Sequence, residues 1–485
     1  MNRLARMAVA TLAVLGLFTV GAGVAVAKML PARLARLAVP RVSGAPVTAA
    51  GPGPRPATGI LPGRAVGATS AGVASALSGL IAGGGLGPHV GVLVTNLTTG
   101  RVLYAQNAST GFTPASTTKL ATATAALAVL GPAATFTTSV RAAGPLTARG
   151  ARIVLIGGGD PTLAAAPFPA ADYPQPATLA ALAARTARAL RASGVRSVRL
   201  GYDQALFSGP VQAAGWPALG AKDNYISTGN VAPITGLEVD QGRLTSQGTP
   251  ENSDDPVNFL PRSMTPGLDA ARAYATWLAR DGITVLGQPA AIPRAGRGRL
   301  LAAVTSPPLT QIIGQMLVES NNVIAETLAR QVAIATGRPA TFSGGAAAVM
   351  AVDARLGVRG IRIYDGSGLS PLNSITPRAL IRLLRLALAR PRFRSVIIGA
   401  PVAGFSGTLA PGSYFGPFSP AALGTVRAKT GNLSSVAAMA GIAYTRGGQL
   451  LGFVFMGDSF AKKHLLLAMS TLAQLASAVA GCGCG

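Results

Sequence analysis

From about residue 137 to 265 this chain reads as short β segments separated by turns, and helical spacing of apolar residues returns at Pro266. ARIVLIGGGDPTL, VRSVRLGYDQALF and VAPITGLEVDQGRL lie in that stretch, interrupted by one helical run over 177–192. Upstream, VASALSGLIAG has helical spacing, and HVGVLVTNLTTGRVLYAQN alternates as a hairpin around 96–100. A further helix runs to about Leu130, where Gly131-Pro132 ends it. Downstream come the helical LDAARAYATWLARDGI, LTQIIGQMLVESNNVIAETLARQVAI and RALIRLLRLALARP. The β pair VRAKTGNLSSVAAMAGIAYT and QLLGFVFMGD follows, then a last helix over about 464–479. Helix-and-strand blocks flanking a β-textured block predict one α/β domain, 73–136 and 266–480, split by an inserted β-rich domain, 137–265. At 485 residues the chain has ample length for both cores.

The N-terminus belongs to neither domain. Arg3 and Arg6 precede an uncharged run over 7–26, mostly Ala, Val and Leu, that ends in Ala25-Val26-Ala27 before Lys28. This reads as an export signal over 1–27, with the Ala-x-Ala site favouring cleavage. The apolar run also approaches the ~20 residues that span a bilayer, so a retained segment would act as a membrane anchor. Residues 28–72, rich in Pro, Ala, Gly and Arg without a period, predict an extended tether. The only cysteines, Cys482 and Cys484, stand in a terminal segment, 481–485, read as a flexible tail because they are too close to staple a domain. The formal charge is +26, from 42 Lys and Arg against 16 Asp and Glu, which attracts anionic cell-envelope surfaces and polymers. Nucleic acid is disfavoured as a partner: aromatics make up 5%, and the arginines are scattered through alanine with no basic-aromatic alternation to stack bases.

The chemistry gathers in TPASTTKL, residues 113–120. Thr113 and Pro114 are predicted as the N-cap and first residue of a helix, which puts Ser116 in its first turn with its N–H at the positive end. Lys119, three residues on, shares that face, with Cβ atoms about 5–6 Å apart. Serine needs a general base. His89 and His464 are the only histidines, so a Ser-His-Asp arrangement has few candidates, whereas a lysine kept neutral by desolvation or by a nearby cation would serve. S-x-x-K occurs often by chance, but two further strings accompany it. Ser320-Asn321-Asn322 lies in a helix-rich region, placed to mark a turn facing a cleft. Lys429-Thr430-Gly431 begins a predicted strand: Lys429 adds positive potential, Thr430 can hold a carboxylate, and Gly431 lets a substrate backbone approach. Singly, SNN reads as a helix cap and KTG as a hairpin end; in this order, S-x-x-K, S-x-N and K-T-G resemble the acyl-serine transferase set. GGGDPTL lacks the lysine of a phosphate loop and reads as a β-turn.

On these motifs, and on TPASTTKLATATAALAVLGP, LIGGGDPTL, LGYDQALFSGP, NYISTGNVAPITGLEVDQGR, LVESNNVIAETLAR, YDGSGLSPLNSITP and VRAKTGNL, the chain resembles the penicillin-binding proteins of the D-alanyl-D-alanine carboxypeptidase/endopeptidase group. The likeness covers about residues 80–475, and the long interval between Ser116 and Ser320 suits that group's insertion rather than a compact β-lactamase. It implies a penicillin-binding-protein/β-lactamase-like transpeptidase domain, helices packed on an antiparallel sheet. It also implies Ser116 as the acylated nucleophile, Lys119 as its base and Ser320 as the proton relay to the leaving amine. Asn322 would hold the substrate amide and orient Lys119, Lys429 and Thr430 would bind a carboxylate, and the N–H groups of Ser116 and Asn432 would form the oxyanion hole. Lys429 is further expected to help keep Lys119 neutral. Asn432 stands where the group usually has threonine, Pro371 where a basic residue is common, and Ser406 where an acidic one is usual. Glu319, Glu326 and Asp365 read as caps or salt-bridge partners rather than catalytic acids. The implied activity is D-Ala-D-Ala carboxypeptidase, with endopeptidase cleavage by the same groups, on peptidoglycan stem peptides. β-Lactams would be covalent inhibitors, and no metal or cofactor is implied. Two alternatives stay open: a β-lactamase, although no deacylating carboxylate motif is evident between Lys119 and Ser320, and an inactive envelope protein that only binds wall polymer.

Overall fold

The computed structural model describes residues 67–147, 150–169, 173–244, 260–292, 298–415 and 419–483. The export signal, nearly all of the tether, and Cys484 lie outside the described residues. Helix α1 (Ser70–Ala82) starts at Thr69, whose hydroxyl accepts from the N–H of Gly72 at 3.1 Å. Strands β1 (His89–Asn96) and β2 (Val102–Gln106) then form an antiparallel hairpin, and Asn96 Oδ1 closes its turn by accepting from the N–H groups of Thr98 and Thr99. A 3-10 turn, Ala115–Thr118, leads into α2 (Lys119–Leu130). Every residue of α2 from Lys119 to Leu127 is buried, since alanine and threonine let neighbouring helices approach it on all sides.

The insertion follows. It comprises β3 (Thr137–Ala142), β4 (Ala151–Ile156), α3 (Leu179–Ala192), β5 (Ser197–Asp203), α4 (Pro266–Arg280), the two-residue strands β6 (Thr284–Val285) and β7 (Ala290–Ala291), and β8 (Leu300–Thr305). They form a mixed sheet of order β6-β5-β4-β3-β8, with β7 pairing on β5. The insertion therefore does not end at 265, as the sequence predicts. Ala270, Ala271, Tyr274 and Leu278 of α4 share a core with β3, β4 and β5, and β8 closes the sheet by pairing with β3. Periodicity shows which face of a helix is apolar but not which core that face covers. The insertion is also less β-rich than expected. Residues 204–244, which contain VAPITGLEVDQGRL, predicted as β, carry no strand beyond an isolated bridge of Arg243 with Arg262; side chains such as Asn224, accepting from the N–H groups of Ile226 and Ser227, satisfy the backbone instead. GGGDPTL forms a turn, with Asp160 Oδ1 accepting from the N–H and hydroxyl of Thr162.

The chain then returns with α5 (Leu309–Val318), α6 (Asn322–Ala335) and α7 (Phe342–Arg355), the short pair β9 (Ile361–Arg362) and β10 (Ser374–Ile375), α8 (Pro377–Ala389) and α9 (Ser395–Ile398). Strands β11 (Val426–Leu433), β12 (Val436–Tyr444) and β13 (Leu450–Asp458) and helix α10 (Leu465–Gly481) end it. The last three strands join the first hairpin in a five-stranded antiparallel sheet, order β11-β12-β13-β1-β2. Alternate side chains divide between two cores. Leu93, Val454 and Met456 pack with α2 and α5 to α8, while Val92, Phe453 and Phe455 pack with α1 and α10. Helices on both faces of an antiparallel sheet give the α/β transpeptidase-like class expected. Cys482 is buried in the second core and disulfide-bonded, so the terminal segment is not a free tail at that residue.

Candidate active site

The octet is built differently from the expected helix start. Thr113 does not cap: its N–H donates to Asp458 Oδ2 at 3.0 Å, and its hydroxyl donates to the Pro371 carbonyl at 3.4 Å. The Pro114 carbonyl instead accepts from the N–H and hydroxyl of Thr117, at 3.2 and 2.7 Å. Ala115 adopts a left-handed φ of 45°, strain that only a well-packed surrounding sustains. That surrounding includes Gly431, where a Cβ would lie 2.7 Å from both the Pro114 carbonyl oxygen and the Ser116 nitrogen. The expected reason for Gly431, approach of a substrate backbone, gives way to a nearer one: its missing side chain leaves room for the turn that carries Ser116. Asp458, at the end of β13, also bonds His89 Nδ1 at 2.5 Å, so one carboxylate ties the strand end, the hairpin start and the octet together.

Lys119 has no exposed surface. Its Nζ lies 2.8 Å from Ser116 Oγ, 2.7 Å from Asn322 Oδ1 and 2.8 Å from the Ser367 carbonyl oxygen. Burial strips water from the ammonium and lowers its pKa from 10.5 to about 7, against the pull of the Asp365 and Glu326 carboxylates in the other direction. The second lysine is not the cause, contrary to expectation. Lys429 is equally buried, and its own pKa is driven well below the ordinary value by burial and then by Lys119. Desolvation, rather than cation-cation repulsion, shifts Lys119 toward its neutral form.

Asn321 is the N-cap of α6, its Oδ1 accepting from the N–H of Ile324 at 3.1 Å. That cap sets Asn322 as the first helical residue, where its Oδ1 reaches Lys119 and its Nδ2 donates to the Asn230 carbonyl at 2.9 Å. Ser320, at φ 58°, turns the chain into the cap. Across the cleft, Thr430 Oγ1 lies 2.8 Å from Thr408 Oγ1, and the buried Lys429 Nζ donates to the Thr430 carbonyl at 2.9 Å. Ser116, Ser320, Asn322, Thr430 and Asn432 line one cleft of about 320 Å³, to which the insertion adds Asn230 and Arg262. Lys119 touches Ser116 from behind this wall, and Lys429 and Gly431 flank Thr430 within β11, so the motif residues come together in one place.

The sequence underrates the loop after β9. Asp365 Oδ1 accepts from the Gly368 N–H at 2.9 Å and from Asn373 Nδ2 at 2.7 Å; its Oδ2 accepts from the Ser370 N–H at 2.6 Å and from Trp216 Nε1 at 2.8 Å. Glu326, one helical turn beyond Asn322, accepts from the N–H groups of Gly366 and Ser367, at 3.0 and 2.8 Å. Burial, with Asp365 adding and Arg330 opposing, raises its pKa to about 7. These two carboxylates are caps, as read, but what they cap is the loop whose Ser367 carbonyl holds Lys119. The only signal for this in the sequence is the turn-forming string Asp365-Gly366-Ser367-Gly368. Burial also raises the pKa of Glu319, at the end of α5, well above the ordinary value. Pro371 accepts from Thr113, and Ser406 Oγ accepts from the Val402 N–H at 3.0 Å, so both unusual residues make structural bonds.

Residues 73–260 and 230–479 match the family described as D-Ala-D-Ala carboxypeptidase 3 (S13). The chain is 36% identical to a carboxypeptidase of Mycobacterium tuberculosis, with 90% of this chain and 91% of that protein covered. It is 35% identical to the carboxypeptidase DacB of Mycolicibacterium smegmatis, with 90% of each covered. In fold it is similar to penicillin binding protein 4 from Haemophilus influenzae, at a TM-score of 0.63 and 23% identity, over 83% of this chain and 98% of that one. The match takes in both segments of the main domain and the insertion between them, and the chain belongs to the D-Ala-D-Ala carboxypeptidase 3 (S13) family.

Proposed function

We propose that this chain is a serine-type D-Ala-D-Ala carboxypeptidase acting on peptidoglycan stem peptides through an acyl-Ser116 intermediate. The observation that carries this reading is Lys119 Nζ at 2.8 Å from Ser116 Oγ, on a lysine with its pKa near 7. Ser116 Oγ attacks the carbonyl carbon of the penultimate D-alanine while Lys119 accepts the hydroxyl proton. The N–H groups of Ser116 and Asn432 receive the oxyanion. Ser320 relays the proton taken up by Lys119 to the departing amine, which returns Lys119 to its neutral form, and Thr430 with Lys429 binds the terminal carboxylate. That carboxylate supplies the opposite charge that Lys429 lacks in the free protein, so substrate binding favours its ammonium form. Asn322, fixed by the Asn230 carbonyl, orients Lys119 and takes the substrate amide. Lys119 then accepts a proton from the water that hydrolyses the ester and returns it to Ser116 Oγ as the acyl–oxygen bond breaks. A cross-linked peptide presents the same bond with a longer leaving group, so endopeptidase cleavage uses the same residues. A β-lactam presents the same carbonyl and carboxylate and remains on Ser116. In this reading the protein is exported, its leader is cut after Ala27, and its +26 charge suits an anionic envelope.

The test is labelled penicillin with mass-spectrometric mapping of the adduct. A stable adduct on Ser116, lost in Ser116→Ala, together with D-alanine release from a pentapeptide, is expected. No adduct, or one that survives Ser116→Ala, refutes the assignment, and rapid turnover of the adduct identifies a β-lactamase instead.

A further inference from the structure

A cavity of about 570 Å³ lies beside α8, and its wall shares no residue with the cleft around Ser116. Five of its fourteen lining residues are arginines, namely Arg359, Arg378, Arg382, Arg385 and Arg390, and none is acidic. Helix α8 creates most of this rim. Arg378, Arg382 and Arg385 recur at helical spacing on its exposed side, while Leu380, Leu383 and Leu384 fill the core behind. Among the described residues no carboxylate pairs with them. The ion pairs formed among the described residues, His89 with Asp458, Arg272 with Asp269 and Arg330 with Glu326, lie elsewhere, and Arg378 Nε reaches only the hydroxyl of Ser109, at 3.3 Å. The sequence reinforces this, since residues 366–457 contain no Asp or Glu. Asp353 and Asp365, the carboxylates nearest in sequence to Arg359, have no exposed surface.

A guanidinium cluster held open without counter-charge suits phosphate, whose oxygens match the arginine fork, and guanidinium gives up less hydration on pairing than ammonium does. The wall between the arginines is apolar, formed by Val102, Ile381 and Leu386, with Val102 43% exposed. A sugar-phosphate polymer has nothing to bury there, whereas a lipid places hydrocarbon next to its phosphate. We propose that this groove binds an anionic phospholipid, the arginine rim taking the headgroup phosphate and the apolar wall the start of an acyl chain.

The experiment titrates the full chain by calorimetry with dihexanoyl phosphatidylglycerol below its micelle concentration, with dihexanoyl phosphatidylcholine and glycerol 3-phosphate as controls. The anionic lipid is expected to saturate a site at least about tenfold more tightly than either control. The double variant Arg382→Glu with Arg385→Glu is expected to weaken it at least about tenfold with unchanged thermal melting. If that variant melts early, Arg385→Ala is read instead, with a weakening of at least about threefold. Equal binding of the two lipids, glycerol 3-phosphate binding as tightly as the anionic lipid, or variants that bind as the native chain does would each overturn the assignment.

Discussion

If burial makes Lys119 the base, acylation must follow its neutral fraction. A lysine left at 10.5 is neutral in about three molecules per ten thousand at pH 7, whereas one at about 7 is neutral in about half of them. The ratio is about three orders of magnitude, or about 4 kcal/mol of barrier at ~1.4 kcal/mol per tenfold. The second-order rate constant for acylation by a fluorescent penicillin, measured from about pH 5 to 9, should rise about tenfold per pH unit in the acid limb. It should bend near pH 7 and then hold level. Asn322→Asp sharpens the test, because it sets a carboxylate at the position of the Asn322 oxygen 2.7 Å from Lys119 Nζ. An opposite charge within ~4 Å at an effective dielectric of ~20 is worth about 4 kcal/mol, reduced by the cost of burying the new charge. The bend should therefore move alkaline by at least about one pH unit. A flat profile, or one still climbing tenfold per unit at pH 9 in the native protein, would sink the idea that Lys119 is a neutral base at physiological pH.

The same burial should show as a stability cost. Lys119 has a lower pKa folded than unfolded, so between about 7 and 10.5 the unfolded chain holds more protons and stability rises with pH, while below about 7 the full cost, on the order of 5 kcal/mol, applies. Lys119→Met removes that cost but leaves Asn322 Oδ1 and the Ser367 carbonyl unsatisfied at about 1–2 kcal/mol each. Denaturant unfolding should find the variant about 1–3 kcal/mol more stable at pH 6, the gain shrinking by about 2–3 kcal/mol at pH 9, with acylation abolished; a variant less stable than the native chain at pH 6 contradicts this. Gly431→Ala should act on rate instead. Its methyl would sit 2.7 Å from Ser116 N, a displacement of the nucleophile turn that should slow penicillin acylation by about 100-fold or more, and near-native labelling would rule the contact out.

What could be read from the sequence was local. Ser116 and Lys119 stand three apart on one turn, and the alternation in β1 and β13 announces a strand whatever surrounds it. What could not be read was which distant segments meet. Lys119 is bonded to residues 203 and 248 positions away, and no spacing rule reaches that far. Helix α4 shows the same limit, because its apolar face is plain in the sequence while its choice of the insertion's core is not. Thr113 failed for a different reason. Threonine before proline is a sound cap signal, but the chain at Ala115 turns left-handed, and the carboxylate of Asp458 takes the N–H that a cap would leave free.

The insertion packs directly against the loop that meets Lys119. Trp216, Ile226 and Val231 of its irregular stretch pack against Val323, Phe342 and Leu369, and Trp216 Nε1 donates to Asp365. That packing covers Leu369 and holds Asp365, both in the loop whose Ser367 carbonyl meets Lys119. The two carboxylates behind the loop work against the lowering of the lysine's pKa by burial, since Asp365 and Glu326 both favour the ammonium form. Their opposition would suit the base proposed above, which must also be strong. A lysine driven far below neutrality would be fully deprotonated yet a poor proton acceptor, and a base is most effective with its pKa close to the pH at which it works. Burial supplies the neutral form, the carboxylates retain basicity, and the balance near 7 follows from packing a lysine, an aspartate and a glutamate around one short loop.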